Sequence, residues 1–417
     1  MKIYLVGGAV RDTLLGYPFH ERDWVVVGAK ESELLEKSFK PVGKDFPVFL
    51  HPDTKEEYAL ARKERKVSHG YAGFNFDTNT HVTLEDDLSR RDLTINAIAQ
   101  DEDGNFIDPF NGRTDIESRV LRHVSPAFNE DPVRILRVAR FAARYHHLGF
   151  AVADDTTARM QAMVADGEVD HLVAERVWKE MHSALAEKSP HIFFETLKSC
   201  GALKVLMPEL DALFGVPQPP AHHPEIDTGV HVLMALQCAT ELSDQPCIRF
   251  AALMHDLGKG LTPKAAWPKH HGHETSGLPA LKNACERLKV PTEFRLLSEL
   301  VMEYHTHCHR AFELKPSTLL KLLKCADVFR RPGRFVAFLE CCKADARGRI
   351  GFEQHNYPQA NYLKNAMQIA RSVTVQKFVH QGLKGKAIGE ALDNARVDAL
   401  RSLTQAIKIT QAFTPAD

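Results

Sequence analysis

The chain is 417 residues long, which exceeds the size of one ordinary hydrophobic core and predicts two or three domains. Hydrophobic residues make up 44% and charged residues 26% of the sequence, which excludes a disordered chain, a collagen and a coiled-coil rod. Basic and acidic residues number 53 and 54, so the net charge is −1. A nucleic-acid partner would therefore have to meet a local basic patch.

Cysteine usage and hydropathy indicate the compartment. The eight cysteines include no CxxC motif, which argues against a disulfide framework and a zinc ribbon and predicts reduced thiols in a cytoplasmic protein. No apolar run approaches ~18 residues, so we expect no membrane span. The opening IYLVGGAV is short and lacks a cleavage pattern, so we expect no signal peptide.

The first hundred residues predict mixed α/β structure. Strands are expected at IYLVGG, DWVVVG, FPVFLHP and EEYALAR, and helices at AVRDTLLG, which stops at Gly16, and at ESELLEKSF. The segment KVSHGYAGFNFDTNTH has no stable period and is predicted to be a mobile loop.

The remainder of the sequence predicts helices. A small hairpin turning at Asp103-Gly104 is one exception, and the Gly/Pro/His-rich loop 259–277 is another. The strongest helix is expected from Glu130 to Arg144, with Pro132 at its first position. FGVPQPP, at 214–220, is the best candidate linker, and a polar helical tail is expected from about residue 351.

Gly7 and Gly8 form a turn between the first strand and the helix that carries Arg11. Glycines let backbone N–H groups approach a phosphate, and the helix N-terminus adds the positive end of a dipole. A Gly-Gly turn alone is more often only a tight turn, so this feature needs support from the motifs that follow.

Two carboxylates, Glu21 and Asp23, open the strand DWVVVG. Residues i and i+2 of a strand point to the same face, so the pair can share divalent metal, as two-metal phosphoryl transfer requires. The alternative is the solvated edge of a strand.

The run Arg90-Arg91-Asp92 precedes Asn96. Arginine forks suit triphosphate oxygens, and Asp92 could accept a hydrogen bond from a ribose hydroxyl. The same run would also be ordinary on an exposed helix face.

Asp131, Arg134, Arg137 and Arg140 recur in steps of three, which places them near one stripe of a helix. An aspartate and arginines at this spacing can present an acceptor and several donors to a base edge. The alternative makes Asp131 a helix cap and the arginines a solvated face.

The motifs LVGGAVRD, ExDW, RRDLTINA and EDPVRILRVARF occur in this order. Their order resembles the class II tRNA nucleotidyltransferase (CCA-adding enzyme) and poly(A) polymerase family of the polymerase-beta superfamily, over roughly residues 1–207. The resemblance implies that Gly8 and Arg11 bind the incoming nucleotide and that Glu21 and Asp23 hold Mg²⁺. Glu21 departs from the Asp that is common at this place in the family.

The resemblance also assigns the remaining polar groups of the N-terminal half. Arg91, Arg137 and Arg140 would contact the nucleotide, and Asp92 its ribose. Asp131 and Arg134 match the base-reading pair of the family, which would accept cytosine and adenine and refuse guanine and uracil. Glu57 would lie on the neighbouring strand as a third carboxylate.

Histidine is enriched in the second half, where ten of the 22 histidines fall between His222 and His309. His255-Asp256 ends an apolar helix and precedes LGK, a pattern that resembles the HD phosphohydrolase superfamily. An adjacent His-Asp pair can bind one metal, completed by distant residues. The proposed metal and hydrolysis residues are His231, His255, Asp256 and Asp345, with His273 and His305 as weaker candidates for a second ion. His222, His223, His307 and His309 are interpreted as structural.

Both halves together resemble the bacterial multifunctional CCA proteins. The resemblance implies an α+β nucleotidyltransferase head with a mixed sheet (1–125), followed by largely all-α parts. These are a helical neck and body (126–215), an HD domain (221–346) and a helical tail (347–417).

The implied activity is addition and repair of the 3′-terminal CCA of tRNA from CTP and ATP, without a nucleic-acid template. Mg²⁺ would serve this transfer. A transition metal such as Ni²⁺ would serve phosphodiesterase, 2′-nucleotidase and phosphatase activity in the HD domain. The expected partner is tRNA, at its 3′ end and acceptor and T arms, with the protein a monomer or weak homodimer. The alternatives are a poly(A) polymerase and an HD hydrolase with an RNA-binding N-terminal half.

Overall fold

The computed structural model describes residues 1–19, 21–42, 48–66, 74–77 and 80–413. The chain divides into two compact units, Met1–Leu206 and Met207–Asp417. Across the described ranges, none of the helices has the length and apolarity needed to cross a membrane.

The first unit is built around a mixed sheet. Its strands are β1 Lys2–Val6, β2 Asp23–Val27, β3 Lys40–Val42, β4 Val48–Leu50, β5 Glu57–Leu60, β6 Lys63–Lys66, β7 Phe74–Asp77, β8 Ala99–Gln100, β9 Phe106–Ile107, β10 Val120–Leu121 and β11 Ala151–Val152. The strand order of the mixed sheet is β3-β4-β5-β2-β1-β8-β9. A separate antiparallel pair joins β6 to β7, and a parallel pair joins β10 to β11.

Helices cover the sheet and make up the rest of this unit. They are α1 Gly8–Leu15, α2 Glu31–Glu36, α3 Leu84–Ser89, α4 Gly112–Ser118, α5 Val133–Tyr145, α6 Asp154–Ala165, α7 Ala174–Leu185, α8 His191–Ser199 and α9 Ala202–Leu206. The long helix α5 is strongly amphipathic: its apolar face is buried, and it packs on α7 and α8. The predicted mixed-sheet head is therefore confirmed.

The sheet register places two of the carboxylates on adjacent strands. β1 and β2 are antiparallel, whereas β2 and β5 are parallel, and Asp23 pairs with Glu57 across them. Val25 and Val26 fill the buried positions of β2, so the apolar run fixes the strand while Asp23 stands at its start. Glu57 thus lies on the neighbouring strand, where the sequence predicted it.

Two expectations for the first unit were wrong in detail. Residues Phe74–Asp77, expected in a mobile loop, form β7 against Lys63–Lys66; the alternation Phe-Asn-Phe-Asp has the two-residue period of a strand. The remainder of that predicted loop lies mostly outside the described residues. The helix expected from about Glu130, with Pro132 at its first helical position, begins at Val133, one residue after Pro132, and a 3₁₀ turn occupies 126–130.

The second unit is helical in the residues described. Its helices are α10 Pro208–Asp211, α11 Thr228–Leu242, α12 Pro246–Met254, α13 His273–Ser276, α14 Leu278–Arg287, α15 Thr292–His309, α16 Pro316–Cys325, α17 Pro332–Arg347, α18 Pro358–Ser372, α19 Gln376–His380 and α20 Lys386–Phe413. The apolar faces of α15, α16, α17, α18 and α20 share one core.

The segment 214–220, predicted as a linker, is part of the second unit. Pro217 forms a β-bridge with Asp227, and Gln218 is buried. The units are divided earlier, between Leu206 and Met207. Proline content indicated an irregular path, but it could not show that this path is packed against the helices that follow.

Candidate active sites of the two units

A cavity of about 610 Å³ opens in the first unit, and the site residues predicted for the N-terminal half line it, with the exception of Glu57. Nine arginines and four carboxylates face it, which gives a net charge of +5 and suits a triphosphate. The lining consists of Gly7, Gly8, Arg11, Glu21, Asp23, Arg62, Arg90, Arg91, Asp92, Asn96, Asp131, Arg134, Arg137, Arg140, Phe141, Arg144 and Arg176.

The glycine turn is required by its geometry. Gly7 has φ +69°, and a Cβ there would lie 2.9 Å from Nη1 of Arg91. A side chain at this position would therefore strain the backbone and displace an arginine from the cavity. Gly8 begins α1, so the N-terminus of that helix faces the same cavity as Arg91.

Glu21 and Asp23 face the same cavity. Desolvation in the cavity raises the pKa of Asp23, and the Glu21 carboxylate adds to this effect, whereas Arg91 opposes it. Two carboxylates that face one cavity form an oxygen donor set that a divalent cation would neutralise. The residues present therefore fit a hard cation such as Mg²⁺.

Asp92 is held by a network rather than exposed on a helix face. It is 6% exposed, and its Oδ2 accepts a 2.6 Å hydrogen bond from Arg137 Nε, while its Oδ1 accepts from Asn96 and from the Leu93 amide at 2.8 Å. Burial opposes ionisation, but Arg137 and the Asn96 hydrogen bond hold the pKa of Asp92 well below its usual range. The carboxylate is thus fixed as an anion, oriented by three donors.

Replacing Asp92 by asparagine is expected to lower the free energy of unfolding at pH 7 by about 1–3 kcal/mol, because charged hydrogen bonds are lost. The pKa in the folded state is depressed, so this stabilisation is complete above about pH 4, the unfolded value, and fades as the pH falls further. Urea unfolding at pH 7 and pH 3 should show the difference from wild type shrinking at pH 3. The control Asp103→Asn, on the exposed hairpin turn, should leave the free energy of unfolding unchanged at both pH values. If Asp92→Asn lost the same free energy of unfolding at pH 7 and at pH 3, the ionic role of Asp92 would be contradicted.

The remaining residues of the predicted stripe face the cavity through different contacts. Asp131 accepts a 2.8 Å bond from Nη2 of Arg176 and caps α5 through the Val133 amide at 3.0 Å. Arg134 Nη1 donates to the Ala127 carbonyl at 2.7 Å. Asp131 therefore caps the start of α5, as the bland interpretation of the sequence predicted, and also lines the cavity, as a base-reading role would require.

Arg140 Nε donates to Glu180 at 2.6 Å. Sequence reasoning missed both this carboxylate and Arg176, which α7 brings to the stripe from about forty residues further along the chain. The run AERVWKE carries them four residues apart, at helical spacing, which was the available signal.

A buried cluster of histidines and aspartates forms the centre of the second unit. His231 comes from α11, His255 and Asp256 follow α12, His273 opens α13, His305 lies on α15 and Asp345 on α17. His231 Nε2 lies 3.2 Å from Asp345 and 4.0 Å from Asp256, and His255 Nε2 lies 3.1 Å from Asp256. The structure thus brings together the residues predicted from the HD pattern.

The two weaker candidates form a second group on the same aspartate. His273 Nε2 and His305 Nε2 lie 3.2 and 3.6 Å from Asp256 Oδ1. Gly258 makes this possible, because a Cβ there would lie 1.9 Å from the His273 carbonyl oxygen. The close backbone contact seats α13 beside the His-Asp turn.

The imidazole rings are oriented for ligation. Nδ1 of His255, His273 and His305 lies 2.7–3.1 Å from backbone carbonyl oxygens, which fixes the proton on that nitrogen. The Nδ1 of His231 lies 3.0 Å from a Glu225 oxygen. Each Nε2 lone pair then faces the carboxylates, which is the arrangement that metal-binding histidines use.

The charges and the unsatisfied polar atoms of the cluster also indicate a metal site. Burial opposes ionisation, yet His255 and Lys259 hold the pKa of Asp256 well below its usual range, and His309 and Arg349 do so for Asp345. Asp256 Oδ1 and His255 Nε2 form no hydrogen bond among the described residues although both are about 1% exposed at residue level. The donor set therefore fits one or two divalent cations.

The positions of two histidines beside the cluster were not expected from the sequence. His309, interpreted as structural, places Nε2 2.6 Å from Asp345 Oδ2, and Tyr357 lies 2.9 Å from its Nδ1. His223 is 3.0 Å from Glu225, which also faces His231. These partners were recognisable only from their place in space, because histidines are frequent throughout this region.

Three family profiles match the chain in succession. Residues 3–122 match the poly A polymerase head domain, 149–214 match the probable RNA and SrmB-binding site of polymerase A, and 228–331 match the HD domain. The first covers the cavity-lining residues from Gly7 to Asn96, and the third covers much of the buried histidine cluster.

Curated relatives match over nearly the whole chain. The multifunctional CCA protein of Teredinibacter turnerae is 63% identical over 97% of this chain and 99% of its own length. The multifunctional CCA protein of Pseudomonas syringae pv. syringae is 59% identical over 96% of this chain and 98% of its own length.

Solved structures share the fold. A CCA-adding enzyme in apo form has a TM-score of 0.65 at 19% identity, covering 98% of this chain and 92% of its own. The Thermotoga maritima CCA-adding enzyme complexed with tRNA has a TM-score of 0.62 at 18% sequence identity, and the match covers 98% of this chain and 91% of that one. With the full-length identity to the curated relatives, these matches show that the chain belongs to the multifunctional CCA protein family.

Proposed function

We propose that this enzyme adds cytidine, cytidine and adenosine to the 3′ end of tRNA, using CTP and ATP and releasing pyrophosphate. The observation that carries the proposal is the single cavity in which nine arginines surround Glu21 and Asp23. Solved CCA-adding enzymes of the same fold are complexed with CTP, with ATP and with tRNA. The full-length relatives are named for CCA rather than for poly(A).

The chain's own residues would perform most of the transfer by positioning and charge. The turn at Gly7 and Gly8 exposes backbone to the triphosphate, and Arg11 and Arg91 lie beside it. Arginine forks stabilise the negative charge that spreads over the transferring phosphoryl oxygens. Mg²⁺, when bound by Glu21 and Asp23, would polarise the reacting oxygens.

One wall of the cavity would contact both the ribose and the base of the nucleotide. Asp92, fixed by Arg137 and Asn96, is placed to accept from a ribose hydroxyl. Arg140 continues the stripe along α5, where Glu180 orients its guanidinium.

Base selection would come from Asp131 and Arg134. Asp131 offers a hydrogen-bond acceptor and Arg134 a fork of donors. This pattern complements the base edges of cytosine and adenine and does not match those of guanine and uracil. The bonds to Arg176 and to the Ala127 carbonyl restrain both side chains, so their pattern is preformed.

Asp131→Ala is expected to reduce incorporation of CTP and ATP by about ten- to a hundredfold and to raise incorporation of UTP, since one mismatched polar contact is worth about 1–3 kcal/mol. Single-nucleotide extension of a truncated tRNA with each of the four triphosphates measures the change. Asp166→Ala, at the end of α6, is the matched control. An unchanged four-nucleotide profile would leave Asp131 only its capping role.

The HD domain would supply a second, hydrolytic activity. Buried imidazole and carboxylate ligands together favour a transition ion such as Ni²⁺, unlike the all-oxygen set of the head. We assign His231, His255, Asp256 and Asp345 to this ion, and His273 and His305 to a further one. The activities expected are 2′,3′-cyclic phosphodiesterase, 2′-nucleotidase and phosphatase.

We further propose the division of the chain into a head (1–125), neck and body (126–215), HD domain (221–346) and tail (347–417). The proposed setting is the cytoplasm, with a monomer or weak homodimer binding tRNA at its 3′ end and acceptor and T arms. The match of residues 149–214 to a probable RNA-binding site supports an RNA contact in the body.

One assay tests the central proposal. The full-length protein is incubated with Mg²⁺, each labelled nucleotide and tRNA transcripts that lack A, CA or CCA, and the products are sized on a gel. We expect growth by one, two or three residues, stopping at CCA. Extension into long adenosine tracts would instead support a poly(A) polymerase, and no extension of any transcript would overturn the proposal.

A further inference from the structure

A second cavity, of about 460 Å³, opens in the unit Met207–Asp417. It is distinct from both candidate active sites, although its lining residue Tyr357 also contacts His309 of the histidine cluster. It lies between α17 and α18 and is lined by Leu242, Leu339, Glu340, Lys343, Arg347, Asn356, Tyr357, Pro358, Ala360, Asn361 and Lys364. We call it the α17–α18 pocket.

The charge of this pocket is positive and uncompensated. Lys343, Arg347 and Lys364 face it with Glu340 as its one lining carboxylate, so its net charge is +2. Among the residues that the structure describes, none of these three cations has a carboxylate within 4 Å; Arg347 Nε instead donates to the His355 carbonyl at 2.8 Å. Mutual repulsion among half-buried cations would be relieved by a bound anion.

Helix geometry separates this pocket from the metal cluster. Glu340, Lys343 and Arg347 follow each other by three and four residues, so they share one stripe of α17. Asp345 is two residues from both cations, a rotation of about 200°, and therefore lies on the opposite face. Asn361 and Lys364 form the matching stripe of α18, three residues apart.

The surrounding sequence indicates that the anion is extended. Between Gln354 and Gly389 the chain has no Asp or Glu, although the whole chain carries 54 acidic residues. The same stretch contains five cationic residues, Lys364, Arg371, Lys377, Lys384 and Lys386. In a chain of net charge −1, this stretch supplies the local excess of positive charge that a polyanion needs, although Lys386 is paired with Glu390.

We propose that the α17–α18 pocket binds phosphodiester groups of an RNA backbone. Lys343, Arg347 and Lys364 supply the charge, and the Asn356 and Asn361 amides supply neutral donors that also suit phosphate oxygens. Contacts of this kind position an RNA without reading its sequence. Using tRNA as that RNA rests on the proposed function.

The test uses the full-length Lys343→Ala/Lys364→Ala variant and a fluorescein-labelled tRNA transcript that lacks CCA. Anisotropy titrations from 50 to 300 mM KCl should show a Kd three- to tenfold higher than wild type at 100 mM. The slope of log K against log salt should be smaller by about two, one for each lysine. In extension assays KM for tRNA should rise, whereas kcat and KM for CTP should not change.

Matched variants separate charge from general damage. Lys282→Ala/Lys321→Ala removes two lysines of the same unit that do not line the pocket, and it should bind as wild type. Lys343→Arg/Lys364→Arg should retain affinity, because the charge is kept. Circular dichroism and the thermal midpoint verify folding of each variant.

An unchanged Kd and salt slope in the alanine variant would overturn the inference, as would an equal loss in the Lys282/Lys321 control. If inorganic phosphate at constant ionic strength bound to the pocket while tRNA affinity were unaffected, the site would hold free phosphate rather than RNA, which also refutes it. Extension by the wild-type protein is measured on the same preparations, so a failure of the tRNA proposal would be seen separately.

Discussion

Asp23→Asn is expected to lower the rate of CTP addition at least a thousandfold while leaving hydrolysis by the second unit intact. The structure places Asp23 in the arginine-lined cavity beside Glu21 and opposite Glu57. Asparagine keeps the shape but removes one negative charge, so the remaining oxygens would bind a divalent ion weakly and out of position. A thousandfold loss corresponds to about 4 kcal/mol of transition-state stabilisation.

Single-turnover extension of a truncated tRNA, with Mg²⁺ and with Mn²⁺, measures this effect. Asp53→Asn, an exposed acid of the same unit, is the control and should extend at the wild-type rate. The binding of Mn²⁺ in the presence of CTP, followed by electron paramagnetic resonance, should weaken in the Asp23 variant only. Wild-type rates of addition by Asp23→Asn would refute the metal assignment in the head.

The motifs of the first unit could be predicted from sequence because local structure places them. A strand followed by a glycine turn and a helix fixes Gly8 and Arg11. The helical spacing of α5 places Arg134 and Arg137 on one wall, and Asp131 lies just before the helix. These positions depend on periodicity and turn chemistry, which short stretches of sequence reveal.

Partners that come from distant helices could not be predicted in this way. Arg176 and Glu180 reach the wall of α5 only because α7 packs against it, and no local pattern specifies that packing. His309 was likewise indistinguishable from its neighbours until the fold placed it 2.6 Å from Asp345. Tertiary contact decides such roles.

The segment 214–220 was predicted as a linker from its composition, and the structure shows it to be packed. Prolines at 217, 219 and 220 predicted an irregular path, and the path is irregular, yet Gln218 is 1% exposed and a bridge holds Pro217 to Asp227. Composition alone cannot distinguish a loose connection from an irregular segment that is packed.

His255→Ala is expected to reduce hydrolysis of 2′,3′-cyclic AMP at least a hundredfold while CCA addition continues in Mg²⁺. The Nε2 of this residue lies 3.1 Å from Asp256 and 3.8 Å from Asp345, and its Nδ1 lies 2.7 Å from the Ala252 carbonyl. Removing the ring would take one proposed ligand from the first ion and would leave two buried carboxylates with less compensating charge.

His255→Gln, which retains volume and polarity, provides a second variant if alanine at this 1% exposed position destabilises the unit. His271→Ala, an exposed histidine of the same region, should hydrolyse as wild type. Metal content after dialysis, measured by mass spectrometry, should fall in both His255 variants and not in the His271 control.

The ligand sets of the two units differ in kind, and this difference makes the outcome decisive. Carboxylates alone suit Mg²⁺, whereas imidazole with carboxylate favours Ni²⁺, Co²⁺ or Mn²⁺, so the two activities of the unmutated protein should have separate metal optima. If a folded His255 variant loses both activities, the two centres are not independent. If it loses neither and keeps its metal, the buried histidines are structural, and hydrolysis should be removed from the proposed function.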